Sequence, residues 1–379
     1  MSKRANGEGT KITKGRNGRY NQRETLDGKR KAFYGKTYKE VVEKRNTYLA
    51  AYRSGLVSTD AAQPTGKYLR DWLKTLRNVK DRTREDYERQ VTLAEPSIGK
   101  VRLDQLKPAH LQALYDALED RGLSPVTVMK VHRVMRIAFR RAVKLGYILR
   151  APTEMATPSR PPEVERVTLS PERARDFLEL MRSDRAYALW TVFLLQGLRL
   201  GEALGLRWAD VDFEAQQIHI RQTVMHLATK GMVVGTPKTP RSRRTLDLTP
   251  LTAAALRAHR TRQLEERVKI GPEWLGTGVF ADLVFTNQLG GPLHPTTVSH
   301  MLHRRLERAG LPRLRVHDLR HTYATILHES GCDLIDVQHA LGHSSYHLTA
   351  DTYTHARRER KSRATEHMTR LFPQKEDVS

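Results

Sequence analysis

The sequence predicts a multidomain α+β protein: a small three-stranded sheet with one helix, then an all-helical segment, then a region that mixes helices with short strands. Three observations predict this order. Hairpin-turn dipeptides occur near the N-terminus, and prolines crowd residues 151–165. Helix-start signals recur between residues 65 and 150, at Thr83 with Asp86, at Pro108 and at Ser124-Pro125. The length of 379 residues suits two or three domains, which we expect at 1–55, 65–150 and 166–379.

The strongest global signal is positive charge. Lys and Arg total 66 against 42 Asp and Glu, a formal net charge of +24. Such an excess implies a polyanionic partner, either nucleic acid or an anionic membrane. No apolar run approaches the roughly 18 residues of a membrane span, the N-terminus lacks the apolar core of a signal peptide, and Cys332 is the only cysteine. We therefore exclude collagen-like, membrane-spanning, secreted and fully disordered classes, and expect a cytoplasmic nucleic-acid-binding protein.

Residues 1–55 are predicted to form a small basic module. Strand-like runs near 10–15, 19–25 and 29–34 are separated by two hairpin-turn dipeptides, Asn17-Gly18 and Asp27-Gly28. A capping box formed by Thr37 and Glu40 then predicts a helix to about Arg53. The side chains of this module that we expect to contact DNA are Arg19, Lys29, Arg30 and Lys31.

A second basic surface is predicted on the helix that begins at Ser124-Pro125. With about 100° between residues, its apolar side chains share one side of the helix: Val128, Val131, Met135, Ala138, Ala142 and Leu145. Five basic side chains fall nearly opposite: Lys130, Arg133, Arg136, Arg140 and Lys144. Solvated faces usually mix charges of both signs. A stripe of one sign in so basic a protein favours contact with DNA phosphates.

The rest of the chain is predicted to be a linker followed by a mixed region. Four prolines between 151 and 165 would block both helix and sheet, so this stretch is expected to be an extended interdomain linker. Helices are expected to start at Ser170-Pro171 and Pro295-Thr296. Strand-like runs lie at 218–223, 232–235, 244–248 and 283–286.

Four short segments of this region carry the residues that suggest chemistry. Taken singly, each has an ordinary structural explanation: a salt bridge, a solvated loop or a surface tyrosine. The first segment contains Arg199 three residues before Glu202. The second is a basic hairpin tip at 236–244, which contains Lys238 and also Arg241, Arg243 and Arg244. In the third, His317 and Arg320 share one helical face, and in the fourth His343 is followed ten residues on by Tyr353.

Two classes of hydrolase fit these residues poorly. His317 and His321 have the i,i+4 spacing of metal ligands, but Arg320 between them would repel a divalent cation. No carboxylate stands where a His-Glu-x-x-His site would need its base. A serine hydrolase would need a Gly-x-Ser-x-Gly turn, which the sequence lacks. We therefore expect neither a metal nor another cofactor.

The combination instead suits transfer of a phosphodiester without a metal. Guanidiniums bind non-bridging phosphate oxygens and stay charged at any working pH. Charge grows on those oxygens in the transition state, so fixed cations stabilise it more than the ground state. A tyrosine hydroxyl can attack phosphorus and conserve the bond energy in a phosphotyrosyl ester. A lysine can protonate the departing 5′ oxygen.

On these motifs the sequence resembles the tyrosine recombinases, specifically phage-type integrases, over nearly its whole length. The elements Gly-Leu-Arg-x-Gly-Glu, Pro-Lys-Thr, His-x-Leu-Arg-His, Leu-Gly-His and the tyrosine appear in the family's order. The resemblance implies that Glu202 supports catalysis and that the catalytic residues are Arg199, Lys238, His317, Arg320, His343 and Tyr353.

The same resemblance implies domain types, activity and partners. Residues 1–55 would be an AP2-like arm-binding domain, 65–150 a SAM-like core-binding domain, and 166–379 a mainly helical catalytic domain with a small antiparallel sheet. The implied activity is integration and excision of a mobile element at double-stranded DNA attachment sites of core and arm types. A homotetramer would act on the DNA, with a host DNA-bending protein and an excision factor as candidate partners. Two alternatives stay open: a resolvase-type recombinase that integrates nothing, and a DNA-binding regulator without catalysis.

Overall fold

The structure, a computed structural model, describes residues 10–15, 18–26, 28–53, 59–162, 167–237 and 243–342. The chain folds as two compact units, 1–164 and 165–379, each with its own core. Small antiparallel sheets stand among many helices, which confirms the predicted α+β class. No helix in the described ranges is long and apolar enough to cross a bilayer. The three domain boundaries expected from the sequence remain a prediction.

The first unit opens with the three-stranded sheet expected from the sequence. β1 (Thr13–Lys14), β2 (Tyr20–Leu26) and β3 (Lys29–Gly35) pair antiparallel in that order. Gly18 and Gly28 adopt φ angles of +75° and +72°, a backbone conformation that glycine enters at little cost in a tight turn. The following α1 spans Tyr38–Arg53. Its capping signal is confirmed, since the Glu40 N–H donates to Thr37 Oγ1 at 3.2 Å.

One face of this sheet is covered and the other is open. On the covered face, the rings of Phe33 and Tyr48 of α1 meet edge to face, with centroids 5.5 Å apart. Lys31 shares that face: its ammonium lies 4.7 Å from the centre of the Tyr48 ring and 2.5 Å from a carboxylate oxygen of Asp104. Side chains alternate along a strand, so the neighbouring Arg30, which is exposed, lies on the open face.

Four further α-helices follow in the described part of the first unit. They are α2 (Thr65–Thr75), α3 (Asp81–Ile98), α4 (Pro108–Asp120) and α5 (Pro125–Lys144). The helices α4 and α5 begin at the prolines predicted to start them, because a first helical residue loses nothing by lacking an N–H. However, α3 begins two residues before the expected Thr83, so that Asp81 lies in the first turn, where the helix dipole favours a carboxylate.

The proline-rich segment after α5 is packed to a greater extent than the sequence predicts. Residues 152–154 form a short 3₁₀ turn, and Ala151 and Ala156 are buried in the core of the helical part. The N–H of Thr157 donates to Gln112 on α4 at 3.3 Å. The expectation of an extended linker from 151 is therefore wrong for its first residues, because small apolar side chains between the prolines still find core contacts.

The second unit is mainly helical. Its helices are α6 (Pro171–Leu180), α7 (Tyr187–Leu195), α8 (Leu200–Leu204), α9 (Pro250–Ile270), α10 (Pro295–Arg308), α11 (Val316–Glu329) and α12 (Leu334–Leu341). Its strands are β4 (Val211–Asp212), β5 (Gln217–Ile220), β6 (Thr223–Leu227), β7 (Gly231–Gly235) and β8 (Arg244–Asp247). The order β4-β5-β8 forms one antiparallel sheet, and β6-β7 a separate hairpin. The apolar α7 is central, since it packs against both α9 and α11.

Two strand predictions in this unit need correction. The run 218–223 belongs to two strands, because β5 ends at Ile220 and the β6-β7 hairpin starts at Thr223. Residues 283–286 make only isolated bridges, through Leu283 and Thr286. The side chains of Leu283, Val284 and Phe285 are buried in the core. Hydrophobicity alone does not distinguish such a buried irregular segment from a strand.

Candidate active site

Three arginine side chains from separate elements of the second unit meet at the C-terminal end of α12. Arg199 immediately precedes α8, Arg244 begins β8, and Arg320 lies within α11. We call these three residues the arginine cluster. Their guanidiniums donate, in that order, to the carbonyls of Gly342, Ala340 and Leu341. The last carbonyls of a helix lack partners within the helix and carry partial negative charge, so cations satisfy them well.

Arg199 is held by the carboxylate of Glu202, as the spacing of the two residues predicts. Its backbone N–H donates to Glu202 Oε2 at 3.1 Å, and its Nη1 donates to Oε1 at 2.6 Å. A third bond, of 3.1 Å, joins Nη2 to the carbonyl of Gly342. The side chain keeps 30% of its surface exposed, so a ligand can still reach it from solvent.

Glu202 is a buried carboxylate that serves two guanidiniums. Only 2% of its side chain is exposed, and its Oε2 also accepts a bond of 3.1 Å from Arg244 Nη2. Burial by itself would raise the pKa of Glu202, but Arg244 and Arg199 together hold that pKa below its usual range. Glu202 is therefore ionised at neutral pH. Among the described side chains that these bonds join, positive charge outnumbers negative, which suits the site to an anion.

Arg320 ties α11 to the segment that carries Arg199. Its Nη1 donates to the carbonyl of Gly197, and its Nη2 donates to the carbonyl of Leu341 at 2.5 Å. Only 2% of the residue is exposed. A planar guanidinium held at two corners has a fixed orientation. The predicted residues Arg199, Glu202 and Arg320 are thus brought together by one continuous set of contacts.

His317 stands on the first turn of α11, one turn before Arg320. Loss of water around the ring, and then the positive charges of Arg320 and Arg199, lower the pKa of His317. At neutral pH the imidazole is therefore uncharged and can accept a proton. Its ring meets that of His321 edge to face, with centroids 4.7 Å apart. Within the described ranges, no group of three or more His, Cys, Asp or Glu side chains could hold a metal ion.

Arg244 is the residue that sequence reasoning missed, because it was grouped with the other basic residues of the hairpin tip. Only 8% of its side chain is exposed, whereas a residue in a hairpin tip is expected to be exposed to solvent. A signal was present in the sequence. Residues two apart on a strand share a face, so Arg244 falls on the same side of β8 as Leu246 and the buried Leu248.

Three of the predicted site residues lie outside the described ranges: Lys238, His343 and Tyr353. The described chain stops at Pro237 on one side and at Gly342 on the other, next to Lys238 and His343 in the sequence. Their catalytic roles remain proposals.

The candidate DNA-contact residues of the first unit differ in where their side chains lie. On α5 every residue of the predicted basic stripe is exposed, namely Lys130, Arg133, Arg136, Arg140 and Lys144. Most of the apolar residues predicted to lie opposite are buried, Leu145 excepted. Arg19 and Arg30 are exposed, and the side chain of Lys29 lies outside the described part. Lys31 differs from them in position, because it pairs with Asp104 on the covered side of the sheet, and its contact with DNA remains a prediction.

Comparison with known proteins decides the family. The model of the phage integrase family matches residues 168–360, more than half of the chain. The chain belongs to the phage integrase family. This membership makes it a tyrosine recombinase, an enzyme that cuts and rejoins DNA through a tyrosine nucleophile.

Relatives agree with this assignment along most of the recombinase chain. The tyrosine recombinase XerC-like protein of Caldanaerobacter subterraneus subsp. tengcongensis is 32% identical over 361 residues, which cover 90% of this chain and 92% of that relative. The integrase of Mycobacterium phage L5 is 29% identical over 317 residues, which cover 80% of this chain and 78% of that integrase.

Two solved structures share the fold of the recombinase. The integrase of transposon Tn1549, solved with transposon right end DNA, has a TM-score of 0.69 at 23% identity and covers 80% of this chain and 100% of its own. A λ integrase tetramer bound to a Holliday junction has a TM-score of 0.55 at 16% identity, with coverages of 93% and 96%.

Proposed function

We propose that this recombinase integrates and excises a mobile element, such as a phage genome, at specific DNA attachment sites. The observation that carries the proposal is the arginine cluster, in which Glu202 and the end of α12 fix Arg199, while the carbonyl of Gly197 and the end of α12 fix Arg320. Fixed guanidiniums bind a scissile phosphate and stabilise the charge that grows on it in the transition state. Similarity to the L5 phage integrase supports an integrating enzyme over other recombinases.

The chemical step is attack of a tyrosine on phosphorus. The hydroxyl of Tyr353 forms a bond to the scissile phosphorus while the bond from phosphorus to the 5′ oxygen breaks. The products are a 3′-phosphotyrosyl ester and a free 5′ hydroxyl. His317 accepts the proton of the tyrosine, or hydrogen-bonds the phosphate, and Lys238 donates a proton to the departing 5′ oxygen. The protein needs no metal or other cofactor for this exchange of esters.

The phosphate is held by three other side chains. Arg199, Arg320 and His343 bind its non-bridging oxygens, and Glu202 orients Arg199. The contacts of Arg199 and Arg320 at the end of α12 support this role, since they set both guanidiniums before DNA arrives. Preorganised donors stabilise a transition state without the cost of reorienting at the moment of reaction.

Strand exchange needs more than one subunit. The free 5′ hydroxyl of one strand attacks the phosphotyrosine of another, so four copies acting on two DNA sites pass through a Holliday junction. The recombinase therefore works as a homotetramer on DNA. The fold it shares with λ integrase, which was solved as a tetramer on a Holliday junction, supports this assembly.

The first unit contributes two DNA-binding surfaces. The exposed basic stripe of α5 contacts the backbone of the core site. The N-terminal sheet is an AP2-like module whose open face, with Arg30, binds distal arm-type sites. A host DNA-bending protein and an excision factor are the partners such a two-site architecture would use. The DNA substrate of the recombinase and its single cysteine favour a cytoplasmic location for the enzyme.

The deciding experiment incubates the protein with a nicked suicide duplex that carries the core site. The sequence of the core site is taken from the DNA flanking the gene. The intact protein should form a covalent adduct that resists denaturation. Tyr353→Phe should bind the duplex with unchanged affinity but form no adduct, because the nucleophile is gone. An adduct that persists in this variant would overturn the assignment of Tyr353.

The same substrate separates the other two candidate functions. A DNA-binding regulator would bind the duplex without forming an adduct in the unaltered protein. A resolvase-type recombinase would form the adduct and would recombine two sites on one plasmid. Only an integrase would also join two plasmids that carry different attachment sites.

A further inference from the structure

We propose that Arg244 is a positioning residue for strand cleavage, which holds Glu202, and through it Arg199, against the C-terminal end of α12. The proposal rests on the function proposed above. Two hydrogen bonds define the arrangement. Arg244 Nη2 donates to Glu202 Oε2 at 3.1 Å, and Arg244 Nε donates to the carbonyl of Ala340 at 3.0 Å.

The backbone of Arg244 is itself fixed. It is the first residue of β8, and its α-carbon is paired with that of Ile220 on β5. Ile220 is buried in the core of the unit. The guanidinium therefore starts from a rigid sheet and reaches two other elements, α8 and α12. A side chain that links three elements in this way transmits the position of the sheet to both of its partners.

The choice of partner distinguishes Arg244 from an ordinary buried ion pair. Arg185 offers the comparison: it pairs with Glu266 and donates to the carbonyls of Thr286 and Asn287, all away from the arginine cluster. Arg244 uses the carboxylate that also holds Arg199. Without Arg244, Glu202 keeps only Arg199 among the guanidiniums described as binding it, and the end of α12 loses one donor.

The same contacts matter for residues next to the described chain. Arg244 follows Lys238 by six positions, and Ala340 precedes His343 by three. A short chain segment restricts where its ends can lie. The bond from Arg244 to Ala340 therefore joins two described residues that lie close in sequence to these proposed catalytic residues.

The test compares Arg244→Met and Arg244→Lys with the unaltered full-length protein in single-turnover cleavage of the suicide duplex at saturating protein. Arg244→Met should slow adduct formation by on the order of 10- to 100-fold, because small misplacements of catalytic groups cost rates of this size. DNA affinity should change by no more than about threefold, since Arg244 contacts Glu202 and Ala340 and its proposed role is to position them, not to bind a phosphate. Arg244→Lys should recover part of the rate, because an ammonium can serve one acceptor well but lacks the fork of a guanidinium.

Arg185→Met is the matched control. It removes a half-buried arginine with the same kinds of partners, so its melting temperature should fall, but its cleavage rate below that temperature should equal that of the unaltered protein. If Arg244→Met cleaves at the unaltered rate while folded, or slows only as much as Arg185→Met, the positioning role is wrong.

A double-mutant cycle tests the route through Glu202. In a Glu202→Gln background, adding Arg244→Met should slow cleavage by less than about threefold, because the two residues act as one unit. Fully additive losses would show that Arg244 does not act through Glu202. Failure of the unaltered protein to form any adduct would instead contradict the proposed function, so the two failures are distinguishable.

Discussion

The ring of Tyr323 lies directly against the α-carbon of Gly197. A β-carbon on Gly197 would stand 2.4 Å from Tyr323 Cδ1, and Gly197 has a φ of +59°. The carbonyl of Gly197 also accepts a hydrogen bond from Arg320, one turn before Tyr323 on α11. The absence of a side chain at Gly197 therefore sets how closely α11 approaches the segment that carries Arg199.

Gly197→Ala should lower both stability and cleavage. The left-handed backbone alone costs a non-glycine residue about 1–2 kcal/mol, and overpacking against Tyr323 should add roughly 1–3 kcal/mol. Thermal and urea unfolding of the second unit measures the sum. Gly231→Ala is the control, since Gly231 has a φ of +69° with nothing within 4 Å of the added β-carbon. Equal losses for the two variants would show that the contact with Tyr323 costs nothing.

The pH profile of cleavage should report His317. Because its pKa is lowered, the neutral, proton-accepting form persists to a pH below about 6.5, the usual pKa of histidine. The single-turnover rate should therefore stay level as the pH falls to that point and decline only beneath it. His317→Gln should lose this decline and be slower by about 100-fold or more. A rate that rises as the pH falls through this range would indicate instead a charged ring donating to the phosphate.

The stripe on α5 should contribute to DNA affinity through phosphates. Arg136→Gln should weaken binding to the core duplex, and should reduce the slope of log affinity against log salt by about 0.9 for one lost contact. Fluorescence anisotropy at several salt concentrations measures both quantities. The control is Arg89→Gln, which alters an exposed arginine on α3 that lies 3.4 Å from Asp86. Equal salt slopes for all three proteins would count against phosphate contact by α5.

The two faces of the N-terminal sheet should respond differently to substitution. Arg30→Gln should weaken binding to arm-type duplexes, which can be selected from a random-sequence pool with the intact protein. Lys31→Gln should leave that affinity unchanged and lower the melting temperature, because Lys31 pairs with Asp104 on the covered face. Equal loss of arm affinity in the two variants would place Lys31 in the DNA interface after all.

Cleavage should proceed at its full rate in EDTA. Phosphate binding and proton transfer are both assigned to side chains, and the positive charge of Arg320 close to His317 disfavours a divalent cation there. The suicide-duplex assay with and without chelator measures this directly. Loss of activity in EDTA that is restored by a divalent metal would revive the alternative of a metal-dependent hydrolase.

Much of the local structure could be predicted from the sequence. The turns at Gly18 and Gly28, the helix starts at Pro108 and Pro125, and the pairing of residues three apart all depend on neighbours within a few positions. Turn conformation, capping and i,i+3 contacts act over that range. The family motifs can also be recognised in the sequence, since each is a short run of neighbouring residues.

Other features were decided by packing between distant segments. Arg244 lies 42 positions from Glu202, and Lys31 lies 73 positions from Asp104. Alternation along a strand can indicate which side such a residue faces, but nothing local to Arg244 or Lys31 identifies its distant carboxylate partner, and the sequence predicts exposed basic surfaces for both segments. The sequence predicts a linker at residues 151–156 for the same reason, because burial of these small apolar side chains depends on a core that distant segments form.

The sequence by itself determined the chemistry of this recombinase, because the residue types and their order are enough to specify a phosphoryl-transfer site. Only the tertiary structure decided which cations face that site. A guanidinium can be buried only where hydrogen-bond acceptors, such as carboxylates or backbone carbonyls, compensate for its lost water. Those partners are assembled from α8, β8, α11 and the end of α12, and their proximity exists only in the folded chain.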